Sequence, residues 1–182
     1  MDPTPSSENP TVSALPGKAK KPWGLRVREP DFVIGDPADP YMCRWWIIPK
    51  NPWFNIYLHK IRRDDDDRAL HDHPNANLSV LLTGSYVEVL PDFSNAPTPY
   101  VRVFDLPKIR KLRRRGSFLF RRATASHRLE LHVKEGATQP VWTLFFMAGK
   151  PRKWGFHCVQ GWVDSDVYTD PTNPGEIGRG CG

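Results

Sequence analysis

The chain has 182 residues, of which 39% are hydrophobic and 12% aromatic, and its formal net charge is +6. This composition is too apolar for an intrinsically disordered chain and suffices for the core of one domain. No run reaches the roughly 18 apolar residues of a membrane helix, and residues 1–22 lack the apolar centre of a signal peptide. We therefore expect no membrane association and, by default, a cytoplasmic location.

Cysteine usage indicates little about structure. Cys43, Cys158 and Cys181 form no CxxC pair, and their number is odd. Such a set favours neither a disulfide framework nor a zinc finger. We therefore expect no disulfide framework.

Both ends of the chain have the composition of tails. Residues 1–22 are rich in Pro, Ser and Lys, and residues 170–182 are rich in Pro and Gly. Such stretches lack a periodic apolar pattern and are typical of flexible segments. We therefore expect one domain over residues 23–169 with a flexible tail on each side.

Between the tails, short runs of β-branched and aromatic residues alternate with turn residues. The predicted strands are Tyr41–Ile48, Asn55–Ile61, Asn77–Leu90, Tyr100–Phe104, Ser117–Arg121, His127–Val133, Val141–Met147, Trp154–Cys158 and Trp162–Tyr168. In the second run, Tyr57, His59 and Ile61 share one face, and Gly84 marks a bend in the third. No long window keeps a helical period, so the pattern predicts an all-β fold, most simply one antiparallel barrel or sandwich.

Two charged segments interrupt these runs. Residues 108–115 are almost entirely Lys and Arg, and Asp64 to Asp67 form an acidic run. A basic stripe can bind nucleic acid or an anionic ligand, but an exposed strand with solvated charges is the favoured interpretation. The acidic run lacks the spacing and glycine of a calcium loop, so we interpret it as a solvated turn.

The segment His71-Asp72-His73-Pro74 carries the main chemical signal. Histidines two residues apart on an extended segment point to the same face, while Asp72 points away. Pro74 interrupts the strand ladder, as is common at the mouth of a barrel. A third histidine from another strand would complete a three-imidazole site suited to a divalent transition metal.

At these residues the chain resembles the cupin superfamily of small β-barrels. The first cupin motif is G-x5-H-x-H-x3,4-E-x6-G, and here His71 and His73 match its histidine pair and Gly84 its closing glycine. The second motif is G-x5-P-x-G-x2-H-x3-N, and here Gly116 matches its first glycine and His127 its histidine. The resemblance covers roughly residues 40–160 and implies a metal held by His71, His73 and His127.

The chain also departs from both motifs. Asp65 stands where the first motif begins with glycine, and Asn77 replaces its glutamate. In the second motif Arg122, Thr124 and Leu131 replace the proline, the glycine and the asparagine. Three-histidine sites without the glutamate occur in the thiol-dioxygenase branch of the cupins, so the resemblance still implies metal binding. It names Fe(II) as the preferred ion, with Zn, Ni or Mn as alternatives.

The resemblance also implies a small-molecule substrate, which we expect to be anionic, and a homodimer. Tyr86 and Arg122 are our candidates for catalytic residues, because a tyrosine can donate a proton and an arginine can clamp a carboxylate or phosphate. Asn77 can coordinate through its carbonyl oxygen or hydrogen-bond a bound water. Which of the arginines near the histidines points inward depends on register.

Four other residues are weaker candidates. His59 is interpreted as a structural histidine in the core or on the surface. His157 is interpreted as part of an aromatic segment that caps the core over the barrel mouth. Glu130 and His132 follow His127 on one strand, and simple alternation places both on the opposite face from it.

Three functions remain open at this point. The favoured one is a metal-dependent enzyme, an iron oxygenase acting on a small molecule. The second is a metal-independent isomerase or epimerase on a sugar or sugar nucleotide, with histidine as base and tyrosine as acid. The third is a non-catalytic binding module for an anionic ligand or nucleic acid, although no nucleic-acid-binding signature is present.

Overall fold

The computed structural model describes residues 28–65, 69–98, 100–149, 151–172 and 176–182. The predicted N-terminal tail therefore lies outside the described residues, as do Asp66 and Asp67 of the acidic run. The strands of the described part are β1 (Phe32–Ile34), β2 (Met42–Trp46), β3 (Phe54–Ile61), β4 (Leu70–His71), β5 (Ala76–Thr83), β6 (Ser85–Pro91), β7 (Lys108–Arg114), β8 (Phe118–Arg121), β9 (Arg128–Leu131), β10 (Val133–Lys134), β11 (Ala137–Thr138), β12 (Val141–Ala148), β13 (Gly155–Cys158) and β14 (Gly161–Asp164). A 3-10 helix spans Val103–Asp105, and the helix α1 spans Ser165–Tyr168.

The strands form antiparallel sheets, as the alternating pattern predicts. The largest sheet has the order β1-β2-β3-β12-β5-β8, and two three-stranded sheets have the orders β7-β6-β9 and β14-β13-β4. Strands β10 and β11 form a separate hairpin. The all-β, barrel-like prediction is confirmed.

The main apolar core lies between the large sheet and the β7-β6-β9 sheet. It contains side chains from both sheets: Met42, Ile61, Leu81, Tyr86, Leu129, Leu131 and Val141. On β3 the residues predicted to share one face, Tyr57, His59 and Ile61, are all buried. The predicted period-two alternation of this strand is therefore confirmed, and the structure shows that this face is the inner one.

The long third run is a hairpin rather than one strand. Gly84 separates β5 from β6 and has a φ of +74°, a left-handed conformation that favours glycine. A Cβ at this position would lie 3.1 Å from Val141 Cγ2 and 3.2 Å from the carbonyl oxygen of Pro140. The glycine therefore serves both the turn and the close approach of β12.

Two predicted strands are wrong in whole or in part. Within Tyr100–Phe104 the backbone enters the 3-10 helix, where Arg102 pairs with Asp105 in place of a strand partner. In Trp162–Tyr168 only the first residues continue β14. The side chain of Asp164 then accepts a hydrogen bond from the Asp166 N–H at 3.0 Å, which caps α1.

The expectation about cysteines is also wrong. Cys158 on β13 and Cys181 form a disulfide, with Cα atoms 5.5 Å apart. The N–H groups of Gly178 and Gly180 both donate to the carbonyl of Tyr168, at 3.1 and 3.0 Å. The described C-terminal residues are thus attached to the barrel, although their composition is typical of a flexible tail.

Neither helix in the described part of the chain has the length and apolar character needed to cross a bilayer.

Candidate metal centre

The fold brings the three predicted metal ligands together. His71, His73 and His127 each offer a ring nitrogen, and these nitrogens lie within 4.8 Å of one another. The ring centroids are 5.0–5.3 Å apart. Residues separated by more than fifty positions therefore form one cluster, as the two-motif spacing predicts.

Backbone pairing fixes the positions of these histidines. His71 and His127 form an isolated antiparallel bridge, and each donates its N–H to the other's carbonyl at 2.9 Å. The N–H of His73 donates to the carbonyl of Ala123 at 3.0 Å. All three ligands therefore stand on hydrogen-bonded backbone rather than on a free loop.

Asp72 anchors the segment from the opposite side. It is buried and accepts hydrogen bonds from the Gly155 N–H at 2.8 Å and from Trp162 Nε1 at 3.2 Å. It also pairs with Arg152, whose Nη1 lies 3.0 Å from its carboxylate. Because strand neighbours alternate, this anchor directs His71 and His73 toward the cluster.

A buried carboxylate that the sequence reasoning missed orients His127. Nδ1 of His127 donates to Oε1 of Glu88 at 2.9 Å, so the proton on this ring sits at Nδ1 and its Nε2 carries a free lone pair. Nε2 of His127 lies 2.8 Å from Nε2 of His73. The nitrogen that a metal would use is therefore directed into the cluster.

Glu88 is itself held by two arginines. Arg121 donates to Oε1 through Nε at 2.8 Å and again through Nη2, while Nε of Arg113 donates to Oε2 at 2.7 Å. Burial alone would raise the pKa of Glu88, but the hydrogen bond from His127 and the charge of Arg121 outweigh it and hold that pKa well below its usual range. In the sequence, Glu88 could be recognised as an acidic residue inside an otherwise apolar strand.

His73 and His127 are neutral at neutral pH, as metal ligands must be. Burial, which the hydrogen bond to Glu88 only partly offsets, lowers the pKa of His127 to about 4. Burial, followed by the charges of His127 and His71, holds the pKa of His73 well below its usual value. Binding of a metal therefore requires little proton release from these two side chains.

The predicted catalytic residues have different surroundings. Tyr86 is buried beside Arg121, which hydrogen-bonds to its hydroxyl, and burial raises its pKa. Arg122 is exposed just after β8, whereas Arg121 is the buried arginine at this point. The register of β8 against β5, in which Arg121 pairs with Asn77, places Arg121 rather than Arg122 on the buried face. The catalytic roles of Tyr86 and Arg122 remain predictions.

Asn77, which replaces the usual glutamate, is buried, and its Oδ1 has no hydrogen-bond partner among the described residues. A buried carbonyl oxygen without a partner costs free energy. A metal ion, or a water bound to one, would satisfy it. The three imidazoles whose ring nitrogens converge thus fit a divalent transition metal.

Aromatic side chains enclose the cluster. The rings of Phe156 and Trp154 lie 5.8 and 6.4 Å from that of His71. Phe145 lies 6.3 Å from His73 on the side of the large sheet. These walls limit the access of water to the ligands.

The weaker histidine candidates stand outside the cluster. His59 faces the interior and accepts a hydrogen bond through Nε2 from Nε of Arg44 at 3.0 Å. His132 is exposed and Glu130 pairs with arginines outside the barrel, as alternation predicts. His157 is half-buried, and its Nε2 has no hydrogen-bond partner among the described residues.

Several side chains of the two charged segments form hydrogen bonds within the fold. Asp64 and Asp65 accept hydrogen bonds from the N–H groups of Leu131 and Leu129, at 2.5 and 2.7 Å, so this part of the predicted solvated turn supports β9. The basic segment forms strand β7, as expected. Three of its side chains are engaged within the protein, Lys108 by backbone carbonyls and two arginines by Glu88 and Glu130.

The positions of the motif residues agree with the resemblance noted in the sequence. Gly84 forms the hairpin between β5 and β6, and Gly116 lies in the turn before β8 with a φ of +85°. The three histidines meet among the antiparallel sheets of the fold. This is the arrangement that the resemblance to the cupins implies.

Comparisons with known proteins concern this fold alone. No protein-family model matches the chain, and no curated protein matches it. Among solved structures, the polyketide cyclase RemF from Streptomyces resistomycificus is 17% identical over 70% of this chain and 74% of that chain, with a TM-score of 0.45. An RmlC-like cupin from Ralstonia eutropha is 11% identical over 72% and 73%, with a TM-score of 0.41. FeII HppE is 14% identical over 69% and 60%, with a TM-score of 0.43.

Proposed function

We propose that this cupin-type protein binds one divalent transition metal through His71, His73 and His127 and acts as a mononuclear iron-dependent oxygenase on a small molecule. The observation that supports the proposal most is the convergence of three imidazoles, one of them oriented by buried Glu88. Fe(II) is the preferred ion, with Zn, Ni and Mn as alternatives. A homodimer and a cytoplasmic location remain predictions from the sequence.

Three nitrogen ligands on one side of Fe(II) would leave coordination positions for dioxygen chemistry. The protein's own residues would prepare the site for it. Glu88 holds the proton of His127 at Nδ1, and the arginines that pair with Glu88 keep that carboxylate ionised. Tyr86, which like any tyrosine is protonated at neutral pH and whose pKa burial raises further, is the proposed proton donor. The rings of Trp154, Phe156 and Phe145 would limit the access of water.

Metal content tests the binding part of this proposal. Protein purified without an affinity metal column and reconstituted with Fe(II) under anaerobic conditions should contain one iron per chain. The variant His127→Ala should lose it, while His132→Ala, which changes an exposed histidine close in sequence, should retain it. Protein that carries no stoichiometric transition metal after reconstitution would refute the proposal and leave the metal-independent isomerase as the better candidate.

Nitric oxide, a stand-in for dioxygen, tests the oxygenase part. An open Fe(II) site should give the electron paramagnetic resonance spectrum of a ferrous nitrosyl complex, and the same protein loaded with Zn should give none. Iron that binds fully but gives no nitrosyl signal would contradict the oxygenase and leave a structural or Lewis-acid role for the metal.

A further inference from the structure

Strand β8 presents two exposed aromatic rings side by side. Phe118 is 73% and Phe120 71% exposed, whereas Leu119 between them packs against the core and Arg121 is buried. In the large sheet β8 is an edge strand, and β5 is its partner there. A rise of about 3.4 Å per residue places the two rings about 7 Å apart on one face. Adjacent exposed rings of this kind are typical of a binding surface.

The positive charge of the protein is concentrated in the same part of the chain. Residues 106–129 contain nine of the 26 Lys and Arg residues and none of the 20 Asp and Glu residues, so they account for more than the whole formal net charge of +6. Four of these arginines pair with glutamates. Arg114, Arg115 and Arg122 are exposed and form no ion pair with any residue that the structure describes. Their charges are therefore available to an anionic partner.

The available arginines flank the two rings. Arg114 ends β7, and Arg115 lies in the turn that precedes β8. Arg122 comes directly after β8, two residues beyond Phe120. We call these three arginines together with Phe118 and Phe120 the β8 platform. It is a row along the edge of the sheet, with cations at both ends and aromatic rings between them.

Hydrogen bonds fix the backbone at the start of the β8 platform. The N–H of Arg115 donates to the carbonyl of Gly84 at 3.1 Å, and the N–H of Gly116 donates to the carbonyl of Leu81 at 2.9 Å. The turn is thus attached to the β5–β6 hairpin. A surface on such a fixed backbone loses little conformational entropy when a ligand binds.

The chemistry of the β8 platform fits single-stranded nucleic acid better than the other anionic macromolecules. A single strand offers phosphates to the arginines and the flat faces of its bases to the rings. A membrane surface would take up apolar side chains, but the tip of this hairpin is polar, and a Cβ on Gly116 would have no atom within 4 Å. An acidic protein would satisfy the arginines and leave the exposed rings without a stacking partner.

We propose that the β8 platform binds single-stranded nucleic acid, with successive bases stacked on Phe118 and Phe120 and phosphates paired with the flanking arginines. This binding is an activity beyond the proposed function, because the platform includes none of the three histidines. It gives Arg122 a role at the surface, as an alternative to the catalytic role predicted from the sequence. Stacking on aromatic rings tolerates any base, so the binding should show little sequence preference.

Fluorescence anisotropy of the full-length protein with a labelled oligothymidylate of about twelve nucleotides tests the proposal, and an oligouridylate of equal length compares RNA with DNA. For three phosphate contacts, the logarithm of the affinity should fall against the logarithm of salt concentration with a slope of about −2. The variant Arg114→Gln/Arg115→Gln should reduce this slope to about −0.7 and weaken binding at least tenfold at about 50 mM salt.

The aromatic variant separates stacking from charge. Phe118→Leu/Phe120→Leu keeps apolar side chains but removes the rings, so affinity should fall at least tenfold while the salt slope stays unchanged. The matched controls are Phe93→Leu, which changes a ring that is 58% exposed in the loop after β6, and Lys134→Gln, which removes an exposed cation of the β10–β11 hairpin. Both should bind as wild type does. Because all the altered side chains are exposed, the urea midpoints of the variants should match that of wild type.

Four results would overturn the proposal. The first is the absence of binding by wild type at about 50 mM salt. The second is wild-type affinity in Phe118→Leu/Phe120→Leu, which would leave charge alone. The third is equal affinity for a duplex of the same length, whose bases are already stacked. The fourth is binding to phosphatidylserine vesicles, or a dimer that Phe118→Ser/Phe120→Ser converts to a monomer, in protein that does not bind either oligonucleotide.

Discussion

Replacing Glu88 with glutamine should weaken both the fold and the metal centre. The carboxylate is 1% exposed and is the acceptor for His127, Arg121 and Arg113. Removal of one partner from a buried ion pair typically costs 3–5 kcal/mol, and we expect about 3 kcal/mol here because the Arg113 side chain remains 25% exposed to water. Since Glu88 also fixes the proton of His127, affinity for Fe(II) or Zn should fall about 10- to 100-fold.

Glu130→Gln is the matched control. Glu130 also bridges two arginines, Arg110 and Arg128, but it does not contact a histidine of the cluster, and the Arg110 side chain is 59% exposed. Its loss should cost about 1 kcal/mol or less and leave metal affinity unchanged. Urea unfolding of the metal-free variants and calorimetric titration with Zn measure the two effects. Wild-type metal affinity in Glu88→Gln would refute the role we assign to Glu88.

Three further predictions concern stability. Unfolded histidine takes up a proton near pH 6.5 but buried His127 only near 4, so the unfolded state binds more protons between these values. The unfolding free energy of metal-free protein should therefore fall by about 3 kcal/mol from pH 6.5 to 4, and a urea midpoint constant over this range would contradict this. The double variant Cys158→Ser/Cys181→Ser removes a disulfide between cysteines 23 residues apart and should lower the unfolding free energy by about 3 kcal/mol. Equal urea midpoints with and without the bridge would exclude a stabilising disulfide. Gly84→Ala should lower the unfolding free energy by about 2 kcal/mol and Gly116→Ala by about 1 kcal/mol, because the added methyl group contacts β12 only at Gly84. Equal losses of stability in the two variants would refute the steric argument.

What the sequence predicts well here is what depends on local pattern. The shared face of His71 and His73, the shared face of alternate residues on β3 and the turn at Gly84 all follow from period-two alternation or from the conformational freedom of glycine. The partner position of His127 came from motif spacing. These features need no knowledge of which strands pair.

What the sequence did not predict depends on pairing between distant strands. Glu88 meets His127 only because β6 lies beside β9, and Cys158 meets Cys181 across a sequence separation of 23 residues. A shift of one residue in the pairing of β8 with β5 would exchange the inward Arg121 for Arg122. Tyr100–Phe104 has strand-like composition but no partner strand, so its local hydrogen bonds decide its structure.

The bridge between Cys158 and Cys181 has a practical consequence for anyone who prepares the ferrous protein. Thiols such as dithiothreitol are often added to keep iron reduced, but they attack disulfides by thiolate exchange. Here that exchange would release the end of the chain from β13, the strand that pairs with His71. Ascorbate, which reduces iron without a thiol, is therefore the reductant to use, and expression in an oxidising compartment is the matching choice of host.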